Sequence, residues 1–334
     1  MKNFRLVFAV AILAFTGTHS AAQQSDLDRG IELFKQGNNK EAVKLLQKAS
    51  RRKGFEDDPK VWNYLGIALI NVGDVANSRK ALGRAVELDS TNSTYRTHLA
   101  EAYRLSGDPS EAKRAISKAI ELDNQNSLAY FLRGTLYLSE KQFERAHVDV
   151  DKAILLNPNF STAFTLKSNI FVEEIGNRIS SGSKMPDEYR RLKEAADILE
   201  HCLKHCQNNS SAPLQREKFE TLSKFYSYYE AGGKHGAVQS SDIATNILPL
   251  KFLSNKPARY SKEGLNARIE GMVSVCVLLE PVGRVDHVIV LRGLGFGLDE
   301  QAIVAAKQIK YVPATEDGKP IARVVCLQYS FDLL

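Results

Sequence analysis

Little in these 334 residues points to catalysis, nucleic acid or a membrane span. No G-x-S-x-G, Walker loop or H-E-x-x-H occurs. "GLGFG" (293–297) has the spacing of neither nucleotide motif and reads as a strand-to-helix turn. His98, His147 and His235 lack a matching carboxylate or nucleophile pattern, and His287 sits in a strand where a structural role fits. No catalytic residue, cofactor or metal site is therefore expected, nor a small-molecule substrate. Lys and Arg number 45 against 39 Asp and Glu, a net +6 with no basic run, which argues against nucleic acid. The apolar run Leu6–Phe15 falls well short of the roughly 20 residues needed to span a bilayer.

That run nevertheless carries information. Lys2 and Arg5 precede it, and small residues at Ser20 and Ala22 follow, the pattern of an export signal cleaved before Gln23. Residues 1–22 are thus expected to be removed and the protein to be exported to the periplasm. If uncleaved, the segment is an inner-membrane signal-anchor. An oxidising compartment lets the four cysteines pair.

Two segments align without gaps 34 residues apart: "WNYLGIALINVGDVANSRKALGRAVELD" (62–89) and "RTHLAEAYRLSGDPSEAKRAISKAIELD" (96–123). One further step brings Tyr130, Gly134, Tyr137, Ala146 and Ala153 into register, and a step back brings Gly37, Ala42, Leu46 and Ala49. Small residues at Ala42, Ala49, Ala85, Ala119 and Ala153 let paired helices approach, while Leu82, Ile116 and Val150 fill the space between them. The pattern resembles the tetratricopeptide repeat, a helix–turn–helix unit that stacks into a solenoid with a concave inner face. Four repeats are expected over 23–160. By repeat register, Asn63, Asn71, Thr97, Arg104, Phe131 and Asn169 should line the concave face. The Lys/Asn/Arg carboxylate clamp of some relatives is not reproduced.

An irregular fifth repeat and a capping helix are expected over 161–230, with helices at about 161–177 and 188–206 and "GNRISSGSKMPDEY" as an inserted loop. Within it, "EHCLKHCQ" (200–207) concentrates two histidines and two cysteines. Leu192, Ala195, Leu199, Cys202 and Cys206 form one apolar stripe, and Cys202 takes the slot of Ala85 and Ala119. Small buried thiols are expected there, ahead of a metal site or a bridge within the helix.

"AGGKHGAVQSSDIATN" (231–246) reads as a linker, after which the grammar changes. Residues 271–295 alternate with period two as two strands joined at "EPVG", 298–309 form an amphipathic helix, and 321–333 form a last strand. Arg268-x-x-Gly271, Gly283-Arg284-Val285, Leu298-Asp299, "KYVPA" and Asp317-Gly318-Lys319-Pro320 together resemble the C-terminal domain of TonB-type energy transducers. The resemblance implies a small antiparallel sheet packed on helices over 247–334. It also implies recognition of a short extended peptide from an outer-membrane transporter by strand addition, at the last strand with Val325, Leu327, Tyr329 and Phe331 on one face. Tyr260-Ser261 stands where the family has Tyr-Pro, and a solenoid replaces its membrane helix and Pro-rich spacer. By strand alternation Cys276 and Cys326 point away from the helix-packed face, and a cross-strand disulfide between them is a hypothesis.

The expected fold is therefore α+β in two domains, an all-α tetratricopeptide solenoid followed by a small antiparallel sheet with helices. The expected partners are proteins or peptides of the cell envelope, TonB-dependent outer-membrane transporters among them. Two functional readings stand: a TonB-like binder whose repeats recruit a second protein, and a repeat scaffold for envelope assembly without energy transduction. An uncleaved anchor would add a third, the energy transducer itself.

Overall fold

The computed structural model describes residues 26–183, 185–207, 209–233 and 247–333. The expected signal segment 1–22, and the expected linker from residue 234 on, lie outside the described residues. The chain divides into two compact units at Glu140/Lys141.

The first unit is all helical: α1 (26–35), α2 (Asn39–Ser50), α3 (Pro59–Asn71), α4 (Val75–Leu88), α5 (Ser93–Leu105), α6 (Pro109–Leu122) and α7 (Ser127–Ser139). Three of the helix pairs close through a glycine in the left-handed region, Gly37, Gly73 or Gly107, where a Cβ would be strained. Aspartate then caps two of the helices that follow: Asp74 accepts from the Asn77 amide at 3.2 Å and Asp108 from the Glu111 amide at 3.3 Å. The small positions behave as their spacing predicts. Ala42, Ala85 and Ala119 are fully buried, and Leu82 and Ile116 fill the gaps between helices. A Cβ on Gly66 would meet Leu82 Cγ at 2.4 Å, so α3 and α4 approach more closely than any other residue would allow.

The second unit opens with α8 (Phe143–Leu156), α9 (Ser161–Ser180), α10 (Met185–His205) and α11 (Ala212–Glu230). The stretch expected as an inserted loop is mostly helix, because α9 runs on to Ser180 and α10 starts at Met185. Tertiary burial overrides the local breakers here. Ile175 is fully buried and Ile179 packs against the same cluster, giving the last turns of α9 an apolar face to cover.

Strands β1 (Ile247–Leu248) and β2 (Lys251–Ser254) follow, then α12 (Lys262–Asn266), β3 (Gly271–Leu279), β4 (Val285–Arg292) and α13 (Leu298–Lys307). Strands β5 (Lys310–Val312), β6 (Ala314–Glu316), β7 (Lys319–Ile321) and β8 (Arg323–Phe331) complete the chain. The principal sheet is antiparallel in the order β4-β3-β8; β2 pairs with β5, and β6 pairs with both β1 and β7. One face of the principal sheet, with Val273, Val275, Val277, Tyr329 and Phe331, packs on Leu298, Ala302 and Ala305 of α13. The opposite face, with Cys276, Leu278, Ile289, Leu291 and Val324, packs on Leu192, Leu199, Leu222 and Phe225 of α10 and α11. The run "VCVLL" in β3 is accordingly buried without alternation, the mark of a strand covered on both sides.

Gly176 makes that second contact close. A Cβ there would lie 2.0 Å from the carbonyl oxygen of Leu291, so α9 meets the backbone of β4 directly.

Candidate functional site

Among the described residues, strand β8 lies at an edge of the principal sheet and pairs only with β3. The four residues expected on its inner face are placed there: Val325, Tyr329 and Phe331 are buried against α13, with Leu327 packed partly against the same cluster. They anchor the strand and leave its outer backbone row to a partner. The Tyr329 hydroxyl donates to Asn255 Oδ1 at 3.0 Å, and burial pushes its pKa up to about 12, so it stays a neutral donor at any physiological pH.

The other face of β8 is divided. Val324 and Cys326 pack toward α10 and α11, and the Tyr228 hydroxyl donates to the Ala322 carbonyl at 3.2 Å, holding the start of the strand. Gln328 and Ser330 are exposed. From Leu327 to Phe331 the second face of the strand is thus uncovered, and along the strand no other strand among the described residues pairs with the row away from β3.

Cys276 and Cys326 face each other in register across β3 and β8 and are joined as a disulfide. They do point away from α13, but into the cluster formed with α10 and α11 rather than into solvent. The stripe Leu192, Ala195, Leu199 and Cys202 is fully buried as its spacing predicts. Cys202 is nevertheless bridged to Cys206, which corrects the expectation of free thiols. The reason is positional: α10 ends at His205, so Cys206 lies beyond the regular helix, and the Cα atoms stand 4.8 Å apart, within bridging range.

The six residues expected on the concave face do not form one surface. Asn63 and Thr97 are buried, which corrects their assignment to an open groove. They occupy one repeat position, 34 residues apart, turned toward the neighbouring helices. Asn63 Oδ1 lies 2.7 Å from His98 Nδ1. Thr97 Oγ1 accepts from Asn126 Nδ2 at 2.9 Å and donates to the Ser93 carbonyl at 2.8 Å. Their polar groups are satisfied inside the stack, as buried polar groups must be. Phe131, at the same position one repeat on, is half-buried in the α5–α7 core. Asn71 is exposed and donates to Asn39 Oδ1, and Arg104 is held by Glu101 at 2.7 Å. Asn169, in the second unit, accepts from Lys218 Nζ.

The His98–Asn63 contact has a consequence for stability. Burial pushes the His98 pKa down to about 4, from an ordinary 6.5, so the folded imidazole stays neutral where the unfolded one takes a proton. Between those values the unfolded state binds more protons, so stability falls as pH drops from about 6.5 to about 4. Urea unfolding at pH 7 and pH 4.5 should show a loss about 2 kcal/mol larger for the natural chain than for His98→Gln. Equal losses would assign acid sensitivity elsewhere.

Among the described residues no cluster of His, Cys, Asp and Glu is arranged to hold a metal, and no helix is long and apolar enough to cross a membrane.

Comparison with known proteins agrees with this geometry. Residues 27–93, 93–126 and 128–160 match tetratricopeptide repeat models. Residues 256–333 match the Gram-negative bacterial TonB protein C-terminal. No curated protein matches the chain. Among solved structures, TTC0263, a thermophilic tetratricopeptide repeat protein of Thermus thermophilus, is similar at 17% identity. That match covers 60% of this chain and 99% of the other, with a TM-score of 0.50, and shows the repeat fold alone. pilF of Pseudomonas aeruginosa is similar at 15% identity, covering 64% of this chain and 90% of its own, with a TM-score of 0.46. MamA from Desulfovibrio magneticus RS-1 is similar at 16% identity, covering 53% and 95%, with a TM-score of 0.42. The chain carries tetratricopeptide repeats over 27–160 and a TonB-type domain over 256–333, two kinds of protein-interaction module in one polypeptide.

Proposed function

We propose that this protein is an exported, periplasmic binding protein whose TonB-type domain takes up an extended segment of an envelope partner, an outer-membrane transporter in the first instance, by strand addition to β8. The repeats recruit a second protein. The observation that supports this reading is the outer edge of β8 from Leu327 to Phe331. Its inner side chains are anchored in the core, Gln328 and Ser330 are exposed, and among the described residues no strand pairs with its outer row. Such an edge offers unpaired N–H and C=O groups to a partner strand.

A specific observation favours the scaffold reading as a variant of this function. The sheet's second face is buried against α10 and α11, so the TonB-type domain is built onto the helices that precede it. Binding at β8 is then relayed to a fixed platform and not to a swinging module.

The test uses Ser330→Cys, an exposed position, with and without a bulky maleimide on the new thiol. Capture of outer-membrane transporters by the unlabelled chain, abolished by the label, is the expected result. Capture that survives labelling would remove β8 as the binding edge. Absence of transporters from both samples, with other partners retained through the repeats, would leave the scaffold reading alone.

A further inference from the structure

The principal sheet has a second edge, β4, and the structure surrounds it differently. A cleft of about 370 Å³ runs beside this strand. Residues from both faces of β4 line it, Val288 and Val290 from one and Ile289 from the other, and none from β3 does. The cleft therefore follows the outer edge of the strand. Leu214 and Leu222 of α11 form one wall, and Ile303 and Val304 of α13 form the opposite wall. Among the described residues no strand pairs with this edge, and the backbone of 286–290 makes no turn or loop hydrogen bond.

We infer that this cleft is a second peptide-binding site, formed jointly by α11, α13 and the TonB-type sheet, and that its occupant is an extended peptide with alternating apolar side chains and basic ends. Three observations converge on that occupant. An open strand edge supplies backbone donors and acceptors, which a neutral apolar molecule would leave unpaired. The walls stand on the two faces of the sheet, so successive side chains of an added strand would point alternately to α11 and to α13. The segment 286–290 gives such a strand roughly 17 Å of ladder at about 3.3 Å per residue.

Charge selects the ends of the peptide. Glu217, Asp286 and Glu300 line the cleft against Lys218 and Lys307. Arg284 stands 3.4 Å from Asp286 in an exposed pair, and Lys218 is turned to Asn169 on α9, which leaves Glu217, Asp286 and Glu300 as the acidic groups of the rim. Glu217 reaches across to Lys307 at 3.3 Å, joining α11 to α13. Both partners are solvent-exposed, at 66% and 40%, so the pair is worth little and a basic side chain of the ligand can displace Lys307. This site is distinct from β8: β3 lies between the two edges, and β8 contributes no residue to the lining of the cleft.

The experiment uses the full chain and a short synthetic peptide of alternating valine and threonine with a lysine at each end. Hydrogen exchange read by mass spectrometry should show amides in 286–290 slowed about tenfold at saturation. Val304→Glu, at a half-exposed position the fold tolerates, places a charge against the apolar wall and should weaken binding at least about tenfold. Glu217→Gln with Glu300→Gln should weaken the lysine-ended peptide several-fold and leave an alanine-ended one unchanged. A peptide N-methylated at alternate residues should fail to bind. Protection confined to 323–331, equal binding of the N-methylated peptide, indifference to Val304→Glu, or no binding would each overturn the assignment.

Discussion

Removal of the cross-strand bridge by Cys276→Ala with Cys326→Ala is expected to lower the unfolding free energy by about 4 kcal/mol, against about 2 kcal/mol for Cys202→Ala with Cys206→Ala. The bridges differ in the chain they close. Cys276–Cys326 ties residues 50 apart and so removes many conformations from the unfolded ensemble, whereas Cys202–Cys206 ties residues only 4 apart and closes a short loop. Alanine keeps both sites apolar, which matters most for Cys276, fully buried between β3 and the helices. Urea denaturation of the natural chain and the two double variants, each with and without reductant, measures the difference. Reductant should destabilise the natural chain by the sum of the two costs, and each variant only by the cost of the bridge it retains. Equal costs for the two pairs would show that loop closure is not the dominant contribution.

The second large effect is expected at Gly176. A Cβ built there falls 2.0 Å from the Leu291 carbonyl oxygen, a backbone atom of β4 that cannot rotate aside. Gly176→Ala must separate α9 from the sheet, and overpacking of this kind costs about 1–3 kcal/mol. Helix propensity works in the opposite direction by up to about 1 kcal/mol, and a backbone atom yields less than a side chain, so a net loss of about 2 kcal/mol is expected. Gly83, within α4, supplies the control. A Cβ there meets nothing within 4 Å, so Gly83→Ala should stabilise by about 0.5–1 kcal/mol through propensity alone. Opposite signs for the two substitutions in denaturant unfolding would establish the α9–β4 contact in solution. A stabilising Gly176→Ala would refute it.

Gly176 also shows how far local reasoning reaches. Within its own helix it is an ordinary weak helix former; its role depends on Leu291, 115 positions away by the numbering. Asn63 and Thr97 make the same point about the repeats. Their register places them correctly on the first helix of each pair, yet that position turns toward the neighbouring repeat and is consumed by His98 and Asn126. The composite cleft beside β4 had no signal in either segment read alone, because its two walls come from α11 and α13, separated in sequence by the whole of β3 and β4.

What the sequence determined by itself was whatever repeats over a few residues or at a constant spacing. The alanines at 42, 85 and 119, the glycine turns, the inner face of β8 and the placement of Cys276 and Cys326 on the opposite face all follow from periods of 3.6, 2 and 34, because each period states which side chains share a face. Only the tertiary structure decided what lies against those faces. Periodicity records that a stripe is apolar and must be covered; it carries no information on the partner that covers it. The second face of the sheet could have met solvent, another chain or the helices that precede it. The close approach at Gly176 and the cluster around Cys276 and Leu199 place α9, α10 and α11 there, since burying both apolar surfaces against each other removes both from water at once.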